Sequence, residues 1–142
     1  MNGIEFRSAI DGIVAEQLSG FFVDWPEPPS LERHLEILTA SHGVELAIDT
    51  ATNCVVGFIN VISDGVFSAF IPLLEVLPEY QGRGIGGAII DRIIARYRDL
   101  YILDLCCDER VVSVYESRDF IRVVGMVRRN YAAISRENTN SN

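Results

Sequence analysis

The stretch Leu73-Leu-Glu-Val-Leu-Pro-Glu-Tyr-Gln-Gly-Arg-Gly-Ile-Gly-Gly87 decides the fold of this chain. An apolar run ends at Pro78, and a short turn rich in glycine follows it. Beyond the turn, apolar residues recur at helical spacing at Ile85, Ile89 and Ile93, which predicts an amphipathic helix. Glycines at the start of that helix would leave its free N–H groups accessible to an anion such as a phosphate. The stretch therefore predicts a strand, an anion-binding loop and a helix.

One interpretation of this loop is a dinucleotide-binding fingerprint. Gly82, Gly84 and Gly87 spell G-x-G-x-x-G, and Asp104 follows about 20 residues later. The match is weak, because residues 77–81 separate the strand from the first glycine. The part of the chain after the loop is also too short for the usual doubly wound sheet. A nicotinamide-dependent oxidoreductase is therefore the least favoured of the functional hypotheses considered for this chain.

A family resemblance gives the other interpretation. Gln81-Gly-Arg-Gly-Ile-Gly86 resembles the signature Q/R-x-x-G-x-G/A of the GNAT superfamily of N-acyltransferases. Val76-Leu-Pro-Glu-Tyr80 is similar to the lead-in of that signature. Leu103-Asp-Leu-Cys-Cys-Asp108 and Val114-Tyr-Glu116 look like the family's next strand and its Tyr-Glu helix.

The resemblance implies an α/β fold in a single GNAT-like domain over residues 1–134, with a disordered tail at 135–142. It implies a mixed, mostly antiparallel sheet of six to seven strands and about four helices. The strand before the glycine-rich loop is expected to splay from the next strand. Acetyl-CoA would be the co-substrate and would fill this gap. The residues implied to bind it are Leu74, Val76, Gln81, Gly82, Arg83, Gly84, Ile85, Gly86, Gly87 and Asp108.

The catalytic groups are implied by the same resemblance. Tyr115 stands at the position of the family's general acid. Glu75 and Asp104 are the candidate bases, although the alternation of side chains along a strand turns both away from the expected site. A base acting through water, or no base, is an equal alternative. Asp108 stands where the family commonly carries an asparagine.

Trp25 lies in a proline-rich loop where the family builds its acceptor site, so it is expected to contact the acceptor or to anchor that loop. Phe70, with Phe67 and Tyr131, is expected to line the same cleft. The net charge of −8 favours a cationic amine over a nucleic acid as the partner. The chain has twelve arginines and no lysine.

Several other features bear on cellular context. No apolar run reaches the roughly 18 residues of a membrane span, and the N-terminus does not resemble an export signal, which together favour a cytoplasmic location. The three cysteines, two of them adjacent, are expected to be buried thiols rather than disulfides or metal ligands. His34 and His42 are expected at the surface.

The remaining elements follow from local patterns. Asp11 is a candidate cap for a helix over Gly12–Phe22, and Ser30 for a helix over Leu31–Ala40 that Gly43 would close. Near the C-terminus, residues 121–129 predict either a hairpin turning at Val124-Gly125 or one strand shared between two subunits of a homodimer.

The function that the resemblance implies is direct transfer of an acetyl group from acetyl-CoA to a primary amine of a small molecule or a peptide. The alternative is an acyl-CoA-binding or sensing domain without catalytic activity.

Overall fold

One mixed sheet of five strands organises the described part of the chain. The computed structural model describes residues 1–134, and the tail predicted to be disordered lies outside them. The strands run in the order β1-β2-β3-β4-β5. They are β1 Ile4–Arg7, β2 Gly43–Asp49, β3 Cys54–Ser63, β4 Ser68–Val76 and β5 Ile102–Leu105. The first four strands pair antiparallel, and β5 pairs parallel to β4.

Three α-helices accompany this sheet in residues 1–134: α1 Leu31–Ala40, α2 Ile85–Arg96 and α3 Val112–Glu116. The predicted stripe of α2 is confirmed, since Ile85, Ile89 and Ile93 are all buried. Ser30 caps α1 as predicted, because its side chain accepts a hydrogen bond from the Arg33 N–H. None of the described helices is both long and apolar enough to cross a bilayer.

The fold class is as predicted, but the element count is smaller. Six to seven strands and about four helices were expected, and residues 1–134 contain five strands and three α-helices. The helix predicted for Gly12–Phe22 is only a 3-10 turn at Ala15–Leu18. Gly12 and Gly20 have φ values of +77° and +94°, which a right-handed helix cannot include.

The C-terminal prediction is also corrected. Residues 121–129 form neither the hairpin nor a strand, because their backbone makes no hydrogen bonds with β5 or with any other described residue.

The predicted end of α1 is corrected too. Gly43 does not close α1, because the last N–H bond of the helix runs from the Ser41 N–H to the Leu38 carbonyl. Gly43 instead begins β2, where a Cβ would collide with the Tyr97 hydroxyl.

His34 is buried rather than at the surface as predicted. Its ring, 1% exposed, packs against Phe21, Phe22 and Phe58 at centroid distances of 5.5, 4.9 and 4.4 Å. Neither ring nitrogen has a hydrogen-bond partner among the described residues. Burial lowers the pKa of His34 to about 4, so the ring is neutral at pH 7. His42 is exposed, as predicted, with Nδ1 2.9 Å from the Tyr97 hydroxyl.

This histidine makes stability depend on pH. The unfolded chain protonates His34 near pH 6.5 and the folded chain only near pH 4, so acid favours unfolding within that window. The free energy of unfolding should fall by about 3 kcal/mol between pH 6.5 and pH 4 on account of this group alone. His34→Leu should remove that component and leave stability at pH 7 equal or higher.

Urea unfolding of both proteins at pH 7 and pH 5 measures the difference. His42→Leu is the matched control, since that ring is exposed. Identical pH dependence in wild type and His34→Leu would contradict the assignment.

Candidate active site

The glycine-rich loop presents open backbone N–H groups at the start of α2. Gly84 occupies the N-cap with φ of +82°, and its missing side chain leaves the N–H groups of the first turn uncapped. The first bond within the helix runs from the Ala88 N–H to the Gly84 carbonyl. The first turn contains no acidic side chain. These amides, at the positive end of the helix dipole, can bind an anion.

Two polar side chains hold the loop in shape. Gln81 Nε2 donates to the Val76 carbonyl at 2.9 Å, and Arg83 Nη2 donates to the Glu79 carbonyl at 2.8 Å. The Arg83 guanidinium also lies 4.9 Å from the centre of the Tyr80 ring. Tyr80 in turn donates to Asp49 Oδ2 at 2.6 Å, which fixes the loop to the end of β2. The glycine backbone is therefore pre-ordered.

The edge of β4 that faces β5 is open beyond Ile71. Pairing with β5 stops at Ile71 and Leu105, whereas β4 continues to Val76. The Leu77 N–H donates to the Val56 carbonyl on the β3 side. Alternation along the strand therefore directs the N–H groups of Leu74 and Val76 to the open edge. An extended ligand could pair with them there.

Two clefts meet at this edge. The first, of about 390 Å³, lies between the glycine loop and the open edge of β4, and we call it the loop cleft. The second, of about 830 Å³, lies beside the Phe22–Trp25 loop, and we call it the Trp25 cleft. Four residues line both clefts: Leu74, Gln81, Val111 and Tyr115.

Tyr115 lies at the junction of the two clefts. It belongs to α3, is 7% exposed, and packs edge-on against Phe120. Burial, with a smaller contribution from Cys107, raises the pKa of Tyr115 to about 12. Its hydroxyl therefore carries its proton throughout the neutral range. No residue of the described chain accepts a hydrogen bond from it, so the hydroxyl is available to a ligand.

Comparison with known proteins shows the family of this chain. The family model described as the acetyltransferase (GNAT) family matches residues 10–120. The chain belongs to the GNAT acetyltransferase family. A crystal structure of a candidate acetyltransferase from Deinococcus radiodurans R1 is 37% identical, with a TM-score of 0.88 over 92% of this chain and 91% of that one. A GNAT family protein from Streptococcus pneumoniae TIGR4 is 29% identical, with a TM-score of 0.71 over 90% and 98%.

Curated relatives of this GNAT chain are longer proteins. An uncharacterized N-acetyltransferase, ycf52, from Gracilaria tenuistipitata var. liui is 35% identical over 46% of this chain and 37% of that protein. A histone acetyltransferase, TAP1, from Glycine max is 29% identical over 69% and 47%. The matched region thus spans between about a third and a half of these two relatives.

The two candidate bases of the GNAT domain lie in different places. Glu75 lines the Trp25 cleft, but its carboxylate accepts hydrogen bonds from the Phe22 N–H at 2.8 Å and the Val23 N–H at 3.2 Å. Asp104 is exposed on β5 beside Phe70 and lines neither cleft. Glu75 is therefore placed to position the Phe22–Trp25 loop.

Only some of the residues predicted to contact the acceptor line a cleft. Trp25 lines its cleft, half exposed, with its ring edge-on to Phe22 at 5.0 Å. Phe70 and Tyr131 lie outside both clefts, and Phe67 stacks on Tyr101 at 5.2 Å. Asp108 lines the Trp25 cleft, with its carboxylate 3.7 Å from Arg110 in an exposed pair.

Two cysteines and two residues of the C-terminal segment (residues 121–131) are among the cleft residues that the sequence analysis did not place at the site. Cys106 and Cys107 are exposed rather than buried as predicted, because β5 ends just before them, and both line the Trp25 cleft. Val127 and Arg129 approach the same cleft from the C-terminal segment. Placement at the end of the short strand was the available signal for the cysteines, and no local signal marked the other two. No cluster of three potential metal ligands occurs within residues 1–134.

If Glu75 positions the Phe22–Trp25 loop, its variants should behave differently from variants of a general base. Glu75→Gln keeps an oxygen acceptor for the loop amides and should retain most activity. Glu75→Ala frees both amides and should lower the free energy of unfolding by about 1–3 kcal/mol. It should also raise the acceptor KM while acetyl-CoA affinity stays unchanged.

Steady-state kinetics and thermal melts of the two variants test this. Asp104→Ala is the control, because that carboxylate lies outside both clefts. A collapse of kcat in Glu75→Gln, with normal stability, would instead assign Glu75 as the base.

Proposed function

We propose that this GNAT domain is an N-acetyltransferase that moves an acetyl group directly from acetyl-CoA to a primary amine of a small molecule or a peptide. The observation that carries the proposal is the meeting of the two clefts at Tyr115 and the open edge of β4. One cleft suits a phosphate-bearing, extended donor. The other offers a separate space in which an acceptor can lie beside the donor's reactive end.

The loop cleft fits acetyl-CoA in three respects. The pyrophosphate of acetyl-CoA suits the uncapped backbone amides of Ile85, Gly86 and Gly87. Space is available there, since a Cβ at Gly82 would meet nothing within 4 Å. The pantetheine arm carries amides that suit the open edge of β4, to which the N–H groups of Leu74 and Val76 point; the Val76 carbonyl already accepts from Gln81 Nε2.

The chemistry then needs few protein groups. The neutral amine attacks the thioester carbonyl carbon, forming a C–N bond and placing negative charge on the carbonyl oxygen. A free N–H on the β4 edge can stabilise that charge. The C–S bond breaks as the oxyanion collapses, and the sulfur takes a proton from the Tyr115 hydroxyl. The proton released by the amine nitrogen restores the tyrosine, directly or through water, so protons balance over one turnover.

The acceptor reaches this point as a free amine rather than by deprotonation at a dedicated carboxylate. Glu75 already binds two backbone amides, and Asp104 lies outside the clefts. The rate should therefore rise with pH until the acceptor amine itself has lost its proton. The acidic chain attracts the protonated amine, which predicts a higher acceptor KM at high salt.

Neither of the two predicted bases is a free carboxylate in a cleft, since Glu75 binds two backbone amides and Asp104 lines neither cleft. This favours one rival, an acyl-CoA sensor without turnover. A panel of primary amines with acetyl-CoA, followed by detection of the released thiol, separates the two. An acetyltransferase gives thiol release that depends on the amine and an acetylated product of the expected mass. A sensor binds acetyl-CoA in calorimetry but releases no thiol above the rate of spontaneous hydrolysis with any amine.

A further inference from the structure

The short helix α3 carries Tyr115 to the junction of the two clefts. It has five residues, and Tyr115 is the only one of them that is buried. Isolated helices shorter than about 12 residues are marginal in water, so α3 depends on contacts with the rest of the chain. A contact that fixes the C-terminal end of α3 therefore also fixes the position of the Tyr115 hydroxyl.

Arg118, three residues after Tyr115, joins the end of α3 to α2. Its Nε donates to Asp91 Oδ1 at 2.6 Å, and its Nη2 donates to Asp91 Oδ2 at 3.4 Å. Its Nη1 donates to the Val114 carbonyl at 2.8 Å, next to Tyr115. The backbone N–H of Arg118 donates to the Tyr115 carbonyl at 2.9 Å. One guanidinium thus bonds to both helices, and we call these contacts of Arg118 the Arg118 clamp.

The arginine of the clamp is largely shielded from water. The Arg118 side chain is 23% exposed and Asp91 is 61% exposed. By contrast, Arg98 and Asp99, just after α2, form a pair at 4.0 Å whose side chains are 77% and 93% exposed. A bidentate arginine–carboxylate contact fixes orientation, whereas a long exposed ion pair contributes little. The Arg118 pair therefore has the geometry of an anchor, and the Arg98 pair does not.

The glycine at position 87 makes room for the clamp. Gly87 and Asp91 lie one turn apart on the same face of α2. A Cβ at Gly87 would lie 2.7 Å from Arg118 Nη2, which is too close for a carbon–nitrogen contact. A methyl group at this position would therefore displace the guanidinium. Gly87 thus admits Arg118, in addition to lining the loop cleft.

We propose that Arg118 is a positioning residue that, together with Asp91, holds the Tyr115 hydroxyl at the junction of the two clefts. The inference rests on the proposed function, because the positioned group is the proposed acid. The charge of Arg118 acts in the same sense. Burial raises the pKa of Tyr115 and Arg118 opposes that rise, which favours the tyrosinate left after the proton is donated.

The first test is the turnover of Arg118→Gln and of Asp91→Asn. Each should lower kcat by about 10–100-fold, because a misplacement of about 1 Å costs a factor of this order, while acetyl-CoA affinity stays within a few-fold. Arg118→Lys keeps the charge but not the planar fork, so it should restore only part of the rate. Arg98→Gln is the matched control and should keep the wild-type kcat, since its pair is exposed.

Arg118→Gln in a Tyr115→Phe background separates a positioning role from a general loss of structure. If Arg118 acts through the Tyr115 hydroxyl, the change should lower kcat by no more than about twofold once that hydroxyl is absent. An equal loss in the two backgrounds overturns the proposal, since Arg118 would then act through another group.

Gly87→Ala reaches the clamp without removing a charge. The methyl group should displace the guanidinium and lower kcat by about 10–100-fold. The melting temperature should stay equal or rise, because alanine favours a helix more than glycine does. A merely structural role for the clamp would not separate rate from stability in this way. A wild-type kcat in Gly87→Ala overturns the proposal, since turnover would then be independent of the clamp geometry.

Hydrogen exchange tests the clamp without using activity. The N–H groups of residues 117, 118 and 120 donate to the carbonyls of residues 113 and 115. They should exchange faster in Arg118→Gln than in wild type, whereas the amides of β3 should be unchanged. Unchanged exchange at residues 117–120 overturns the proposal. A wild type that releases no thiol with any amine refutes the proposed acetyltransferase function instead, and the exchange rates still decide whether Arg118 holds α3.

Discussion

Gly86→Glu is expected to weaken acetyl-CoA binding by at least about 100-fold, or roughly 2.7 kcal/mol. Gly86 lies in the first turn of α2 and lines the loop cleft. Its carboxylate would lie among the amides proposed to bind the pyrophosphate. There it would compete for the same N–H groups and repel the phosphates. The helix itself should tolerate the change, because an acid near a helix N-terminus is favourable.

Gly86 is the best glycine of the loop for this experiment. Gly82 and Gly84 have φ values of +74° and +82°, so any side chain there strains the backbone as well. At Gly86 an added Cβ would lie 3.6 Å from Val76 Cγ2, which is ordinary van der Waals contact. Gly86→Ala is therefore the matched control and should bind acetyl-CoA within a few-fold of wild type.

Isothermal calorimetry with acetyl-CoA measures both variants, and thermal melts confirm that they are folded. Wild-type affinity in a folded Gly86→Glu protein would show that the donor phosphates bind elsewhere. Equal loss in Gly86→Ala and Gly86→Glu would point to steric closure of the cleft rather than to its charge.

Tyr115→Phe is expected to lower kcat by about 10²–10⁴-fold, with acetyl-CoA affinity nearly unchanged. The change removes the hydroxyl and keeps the ring that packs against Phe120. Because the pKa of Tyr115 is raised to about 12, its hydroxyl stays protonated across the working range of pH. The rate should therefore rise with pH as the amine deprotonates, without a decline caused by Tyr115 below about pH 11.

The control is Tyr101→Phe, since Tyr101 is 81% exposed and lines neither cleft. Turnover is measured as thiol release with the acceptor found in the amine panel, and acetyl-CoA affinity by calorimetry. Wild-type kcat in Tyr115→Phe would mean that the thiolate leaves without an acid and that Tyr115 only packs.

The sequence by itself determined the features that depend on neighbouring residues. The isoleucine spacing of α2, the glycines before it and the cap at Ser30 are local patterns, and each has the predicted structure. The resemblance of its motif to that of the GNAT family implied a role for Tyr115 at the site, and Tyr115 lines the loop cleft.

Only the tertiary structure decided the features that depend on distant residues. Whether Glu75 is a free base or a loop anchor depends on the Phe22 amide, 53 positions away in the chain. His34 is buried because three phenylalanines from two other segments surround it, which its own helix could not reveal. The C-terminal segment had a strand-like pattern, but a strand requires a partner backbone, and the described chain supplies none. Local pattern sets a residue's preference, whereas long-range packing sets its neighbours and hence its charge and role.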